Sequence, residues 1–372
     1  MSAQRKKIFL RIVTVLGSVF LTLALIEHVV VQIIHTGQSY GSWYFSSLTY
    51  LLDEEVDWKL EPRSYIWGQV NQNNFRGKEM TVARRAGTCR IAVVGGSAAF
   101  DLWKRDDQTW SVQLESYLNH NLGQSVEVLN AATPGYSSWQ AYRLVKSKVI
   151  RWQPDIVLLY ELYNDSLTFS HNNRQEIIQG WKLNAHANYV GWPAHPHRSL
   201  DILSKVLPTT TDALRMVALR TLIARRNAAN AKYWRNPNLN WTLQKAGLNF
   251  YEENRRNLAR FLRDQGIPLG IVAQASLIRE ENTPEEMAQI HYLYRGMSHP
   301  ELWKGYLAAR EMDRLVSKEE PNAFLISANE QIPSSLSCFV DEVHLNKEGS
   351  TLLAKIIGDE LLARKQEWCS PQ

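Results

Sequence analysis

The chain has 372 residues, of which 45% are hydrophobic and 21% charged, so wholesale disorder and fibrous repeats are excluded and one large α/β domain with attachments fits the length. Three cysteines are too few for a disulfide scaffold. Four of the five net positive charges are Arg5, Lys6, Lys7 and Arg11, with no acid among them, so the body of the chain carries no electrostatic case for nucleic acid.

After the basic cluster, the apolar run Ile12 to Ile26 is interrupted at Glu27 and His28 and resumes at Val29. Residues 8–34 supply the roughly 20 apolar positions that a spanning helix needs, with Arg11 able to snorkel to the headgroups. A cleaved signal peptide is served only by Gly37-Gln38-Ser39, well beyond the apolar core. The segment therefore reads as an uncleaved single-pass anchor in the inner (cytoplasmic) membrane. The positive-inside bias puts residues 1–7 in the cytoplasm. Everything after about residue 35 is then periplasmic or extracellular and meets an oxidising medium.

Residues 35–88 are polar and aromatic and read as an extracytoplasmic arm packing on the main domain, with a turn at Asn74-Phe75-Arg76-Gly77. From Cys89 the pattern changes. Arg90 to Val94 reads as a first buried strand ending in Gly95-Gly96. A helix follows over Thr109 to Leu122, a second strand over Val126 to Asn130, and a helical stretch from Ser138 to Trp152. Ile156 to Tyr160 is a third strand. Tyr251 to Gln265 is a helix closed by Gly266, Pro268 to Ala273 a fourth strand, Leu302 to Lys318 a helix, and Ala323 to Ser327 a fifth strand. Lys347 to Arg364 is the last helix, with Leu352, Leu353, Ile356, Ile357 and Leu361 on one face. Strands alternating with helices imply a doubly wound parallel sheet covered on both sides. An Asn-, His- and Trp-rich insertion spans about 166–250, and no internal repeat appears.

In such a sheet, ligands bind beyond the carboxyl ends of the strands. The first strand leads to Ser97 and the second to Thr133-Pro134-Gly135-Tyr136. The third leads to Glu161-Leu162-Tyr163-Asn164-Asp165, and the fifth to Asp341-Glu342-Val343-His344. A serine hydroxyl needs a base to become a nucleophile, and His344 is the candidate. Asp341, one helical turn earlier, is placed to hold Nδ1–H and leave Nε2 for Ser97. The backbone N–H groups of Ser97 and Gly135 and the side-chain amide of Asn164 form a candidate oxyanion hole.

These four blocks, in this order, resemble the SGNH (GDSL-type) hydrolase superfamily over about residues 89–365. The resemblance implies a flavodoxin-like three-layer α/β/α sandwich with a five-stranded parallel sheet. It also implies ester hydrolysis or acyl transfer without a metal or other cofactor. Two positions depart from the family pattern: Gly96 stands where Asp is common before the serine, and Leu162 where Gly is common in the third block. Neither removes a group from the reaction. Asn74-Phe75-Arg76-Gly77 is similar to a segment found upstream in membrane-linked bacterial members, often associated with surface polysaccharides.

Simpler roles stand beside the chemical ones. Gly-Gly-Ser serves any tight strand-to-helix turn; as a dinucleotide loop it fails, since Phe100 sits at the third glycine position. Asp165 reads as a cap or structural support. His195-Pro196-His197, with His186, lacks an acidic or thiolate partner at metal-ligand spacing and reads as a solvated loop. Trp181, Trp192, Trp234 and Trp241 serve equally as sugar-stacking or packing residues. Cys89 begins the first strand at the foot of the sheet, and Cys369 follows the last helix as it runs back down, whereas Cys338 lies at the top. A Cys89–Cys369 bridge with Cys338 free is expected. Asn164-Asp165-Ser166 matches a glycosylation pattern that would spoil the oxyanion amide, which favours a bacterial envelope.

The expectation is an anchored hydrolase domain over residues 89–372, acting as a serine esterase on an acylated carbohydrate of the envelope or an exported polysaccharide, O-acetyl being the favoured ester. The alternatives are an O-acyltransferase with the same residues and a non-catalytic envelope assembly or binding protein working with polysaccharide-assembly partners.

Overall fold

In a computed structural model of the chain, the described residues are 48, 50–65, 68–102, 104–184, 238–292 and 296–369, together with most of 11–29 and the isolated positions 207 and 210. The chain divides into two units, one of Met1–Thr49 with Pro193–Asn227 and one of Tyr50–Trp192 with Ala228–Gln372.

The larger unit opens with two short antiparallel hairpins in the arm: β1 (Tyr50–Asp53) with β2 (Asp57–Leu60), and β3 (Arg63–Tyr65) with β4 (Gly68–Val70). The sequence shows only weak patterns here because each strand is three or four residues long. A five-stranded parallel sheet follows, built from β5 (Thr88–Gly95), β6 (Ser125–Asn130), β7 (Ile156–Tyr160), β8 (Leu269–Val272) and β9 (Ala323–Ile326). The spatial order is β6-β5-β7-β8-β9, the flavodoxin-like arrangement. β5 and β7 are buried along their whole lengths, as continuous apolar runs covered on both faces should be.

The helices that position the site are α1 (Ser97–Phe100), α2 (Trp110–Asn121), α3 (Ser138–Ser147), α4 (Lys245–Asp264), α5 (His299–Glu319) and α6 (Lys347–Ala363). α2 packs with α6, and α3 and α5 both pack on α4, forming the two covering layers. α4 starts before Tyr251, inside the stretch read as insertion. Gly247 obscures that first turn in the sequence, yet it is needed there: a Cβ would lie 2.3 Å from the Thr168 carbonyl oxygen. α5 starts at His299 with Pro300 in its first turn, a helix-start signal that the apolar pattern from Leu302 overlooks. The stretch 138–152 is α-helical only to Ser147 and finishes as a 3₁₀ turn over Val149–Trp152.

Cys89 and Cys369 are disulfide-bonded, tying the start of β5 to the end of the chain, and Cys338 is free and buried. In the smaller unit, Val15, Phe20, Leu21 and Leu25 are exposed, and Glu27 accepts a hydrogen bond from the Thr210 N–H at 2.8 Å. Among the described residues no helix is long and apolar enough to cross a membrane. The ends of the expected anchor, residues 8–10 and 30–34, lie outside the described residues, as do Trp192, Trp234, His186, His195 and His197. Trp181 is buried and Trp241 exposed.

Candidate active site

Strand register brings the candidate residues together. Gly95 at the end of β5 pairs with Tyr160 at the end of β7, and Val93 pairs with Asn130 at the end of β6, so three chain segments leave the sheet side by side. Gly95 turns the chain sharply at φ +146°; a Cβ there would meet the Tyr160 carbonyl oxygen at 2.3 Å. Ser97 opens α1, so its N–H lies in the first turn, where no intrahelical acceptor exists.

His344 arrives on the loop after β9, whose Val340 N–H donates to the His344 carbonyl at 2.8 Å. Its Nδ1 lies 2.7 Å from Asp341 Oδ2 and its Nε2 lies 2.8 Å from Ser97 Oγ. With Nδ1–H on the carboxylate, Nε2 is the acceptor for the serine proton. The spacing of three residues is not realised by a helical turn. Asp341 Oδ1 instead accepts the N–H groups of Val343 and His344 at 2.9 and 2.8 Å, bending the chain around its own side chain. Burial alone would raise the Asp341 carboxyl; the charge of His344 and these hydrogen bonds outweigh it and hold the group down at about 2.

Thr133-Pro134-Gly135-Tyr136 forms a turn closed by Tyr136 N–H to the Thr133 carbonyl at 3.0 Å, with Gly135 at φ +87°. Proline second and left-handed glycine third is the type II pattern, which leaves the glycine N–H outside the turn bond. The Asn164 Nδ2 donates to the Tyr136 carbonyl at 2.7 Å and makes a long 3.4 Å contact to Glu161 Oε2. One amide hydrogen is thus anchored and the other is only weakly held. Asp165 caps α3 from outside: its carboxylate accepts Ser138 N–H at 3.0 Å and Ser138 O–H at 2.6 Å.

Several supports carry no motif. Glu161 is fully buried; its Oε2 accepts Gly96 N–H at 2.8 Å and its Oε1 accepts Asn164 N–H at 2.7 Å. Burial, with Asp165 nearby, pushes this carboxyl up, while the two N–H donors work to hold it down. Gln274 Oε1 accepts the N–H groups of Leu162 and Tyr163 at 2.9 and 2.7 Å. The Leu162 side chain lies in a buried cluster with Tyr251, Ile278 and Leu302, which explains an apolar residue in the third block. Lys104 bridges Asp101 and the Leu345 carbonyl, joining the segment after α1 to the His344 loop. Burial lowers its pKa while Asp101 works to raise it.

The arm reaches two of the blocks. Trp58 Nε1 donates to the Pro134 carbonyl at 3.2 Å, and Tyr136 O–H returns a hydrogen bond to the Trp58 carbonyl. Arg76 is buried, and its guanidinium donates to the carbonyls of Phe100, Asp101 and Lys104 at 2.6, 2.9 and 2.6 Å. The arm therefore braces both the Gly135 turn and the exit of the helix that carries Ser97. In the sequence, Asn74-Phe75-Arg76-Gly77 reads as a turn and a family resemblance, with no sign of these partners.

No family model and no curated relative matches the sequence. Among solved structures, the chain is similar to a catalytic mutant of Axe2, an acetylxylan esterase from Geobacillus stearothermophilus, at 11% identity and a TM-score of 0.43, covering 75% of this chain and 96% of that one. It is similar to TesA at 13% identity and a TM-score of 0.41, covering 73% and 97%. It is also similar to a GDSL-like lipase from Bacteroides thetaiotaomicron at 9% identity and a TM-score of 0.39, covering 74% and 88%. Each is a distant likeness, at identities where residue roles do not transfer.

Proposed function

We propose that the chain is an SGNH-type serine ester hydrolase that passes an acyl group first to Ser97 and then to water. The observation that carries this is the unbroken line Asp341–His344–Ser97, with hydrogen bonds of 2.7 and 2.8 Å, at the sheet edge where Gly135 and Asn164 also converge. His344 Nε2 takes the Ser97 proton as Oγ bonds to the acyl carbon. The N–H groups of Ser97 and Gly135 and the Asn164 amide stabilise the oxyanion. On collapse the carbon–oxygen bond to the alcohol breaks, and the proton on His344 leaves with that alcohol. Water then enters, gives a proton to His344, and releases the acid as the proton returns to Ser97. Asp341 keeps the ring in the tautomer each step requires.

The favoured substrate is an O-acetyl ester on a cell-envelope or exported polysaccharide, met outside the cytoplasmic membrane. The Cys89–Cys369 bridge supports an oxidising compartment. Exposed apolar side chains behind the basic first residues support a membrane anchor. The test is acetate release by the full-length protein from acetylated glycans, set against long-chain and thioester substrates. Turnover that favours acetylated glycans and vanishes in a folded Ser97→Ala variant is expected; equal turnover by that variant contradicts the proposal.

A further inference from the structure

We infer that Glu161 is a positioning residue for the oxyanion hole, its buried side chain holding the N–H groups of Gly96 and Asn164 in place. This rests on the esterase reading above and adds a residue to its machinery. Because Gly95 and Tyr160 are the paired last residues of β5 and β7, positions 96 and 161 emerge as neighbours. The carboxylate then bridges two parts of the site. One oxygen holds the N–H of Gly96, directly before the nucleophile, and the other holds the N–H of Asn164, which carries the amide donor.

Occupancy, not conformation, accounts for the glycine at 96. Its φ is −91°, so no left-handed backbone demands glycine. A Cβ built there would lie 2.4 Å from Glu161 Oε2, 2.3 Å from Asn164 Nδ2 and 2.7 Å from the Tyr136 carbonyl oxygen. Position 96 therefore carries no side chain while the Asn164 amide, Glu161 and the Tyr136 carbonyl stand around it. The Arg255 guanidinium fixes Glu161 from behind, donating to its backbone carbonyl while pairing with Asp313. Since both carboxylate oxygens accept an N–H, an amide at 161 must turn a donor toward one of them.

The test is substitution at position 161, read on a small activated ester. Glu161→Gln and Glu161→Ala should each lower kcat by about 10²–10³-fold, as loss of one oxyanion donor does, with KM changed far less. Gly96→Ala should be at least as impaired, because its Cβ would press on the Asn164 amide, Glu161 and the Tyr136 carbonyl. Full kcat in Glu161→Gln overturns the proposal. Crystal structures of the wild type and Glu161→Gln give a readout that needs no turnover. A shift of the Asn164 amide or the Ser97 N–H beyond about 0.5 Å supports positioning, and unmoved donors overturn it. A wild-type chain inert on every ester would remove the esterase reading and leave that shift to decide the role of Glu161.

Discussion

Replacing Arg76 with methionine should destabilise the fold and disable the site together. Methionine keeps the apolar stem but deletes the guanidinium, stranding the buried carbonyls of Phe100, Asp101 and Lys104 and the ion pair with Asp106. Each buried group left without a partner costs about 1–3 kcal/mol. Asp106 is 26% exposed, so water recovers part of its share, and a net loss of about 3–5 kcal/mol is expected, as for a buried charge network broken on one side. At about 2–4 °C per kcal/mol for a chain of this size, the melting temperature should fall by about 6–20 °C. Arg76→Lys should fall between, because an ammonium cannot serve three carbonyls lying in different directions. Activity measured well below either transition should also drop, since the unsupported carbonyls close the helix that begins with Ser97. Thermal denaturation and ester turnover of both variants provide the check. A melting temperature within about 2 °C of wild type, with unchanged kcat/KM, would refute the bracing role of the arm.

Reduction of the Cys89–Cys369 bridge, or Cys89→Ser, opens a loop spanning 280 positions and should cost about 5 kcal/mol in the chain-entropy account, read as a fall in denaturant midpoint. Gly135→Ala places a side chain on backbone at φ +87°, a strain of about 1–2 kcal/mol, and should lower kcat more than it raises KM by displacing an oxyanion donor. The carboxyl of Asp341 titrates at about 2 in the fold against 3.8 ordinarily, so the folded state binds this proton less tightly. Its contribution to stability is complete above about pH 3.8 and is lost as pH falls through 2. Melting temperature should therefore decline as pH falls from about 4 to 2, and Asp341→Asn should flatten that decline.

Sequence reading reached the sheet because its strands are short apolar runs bounded by turns, and all five strands stand within two residues of where periodicity puts them. The convergence of Ser97, Gly135, Asn164 and the Asp341–His344 pair was legible because these four blocks follow four different strands, and strand ends are where an open sheet collects its ligand-binding groups. The supports were not. Glu161 looks like one more loop acid until strand register places it against Gly96. Arg76 and Trp58 act across long chain separations on backbone carbonyls, and a carbonyl leaves no mark in a sequence. The bend at Asp341 kept the spacing of a helical turn while using a different local structure, because three residues bring side chain and ring together by either route.

Ester turnover at this site requires Ser97 to be a nucleophile activated by His344. Treating the full-length protein with a fluorophosphonate and locating the adduct by peptide mass spectrometry tests this most directly. One adduct on Ser97 is expected, absent in Ser97→Ala and slowed by orders of magnitude in His344→Ala while both variants stay folded. A folded wild-type protein that takes no label at Ser97, or labels there equally well without His344, would contradict it.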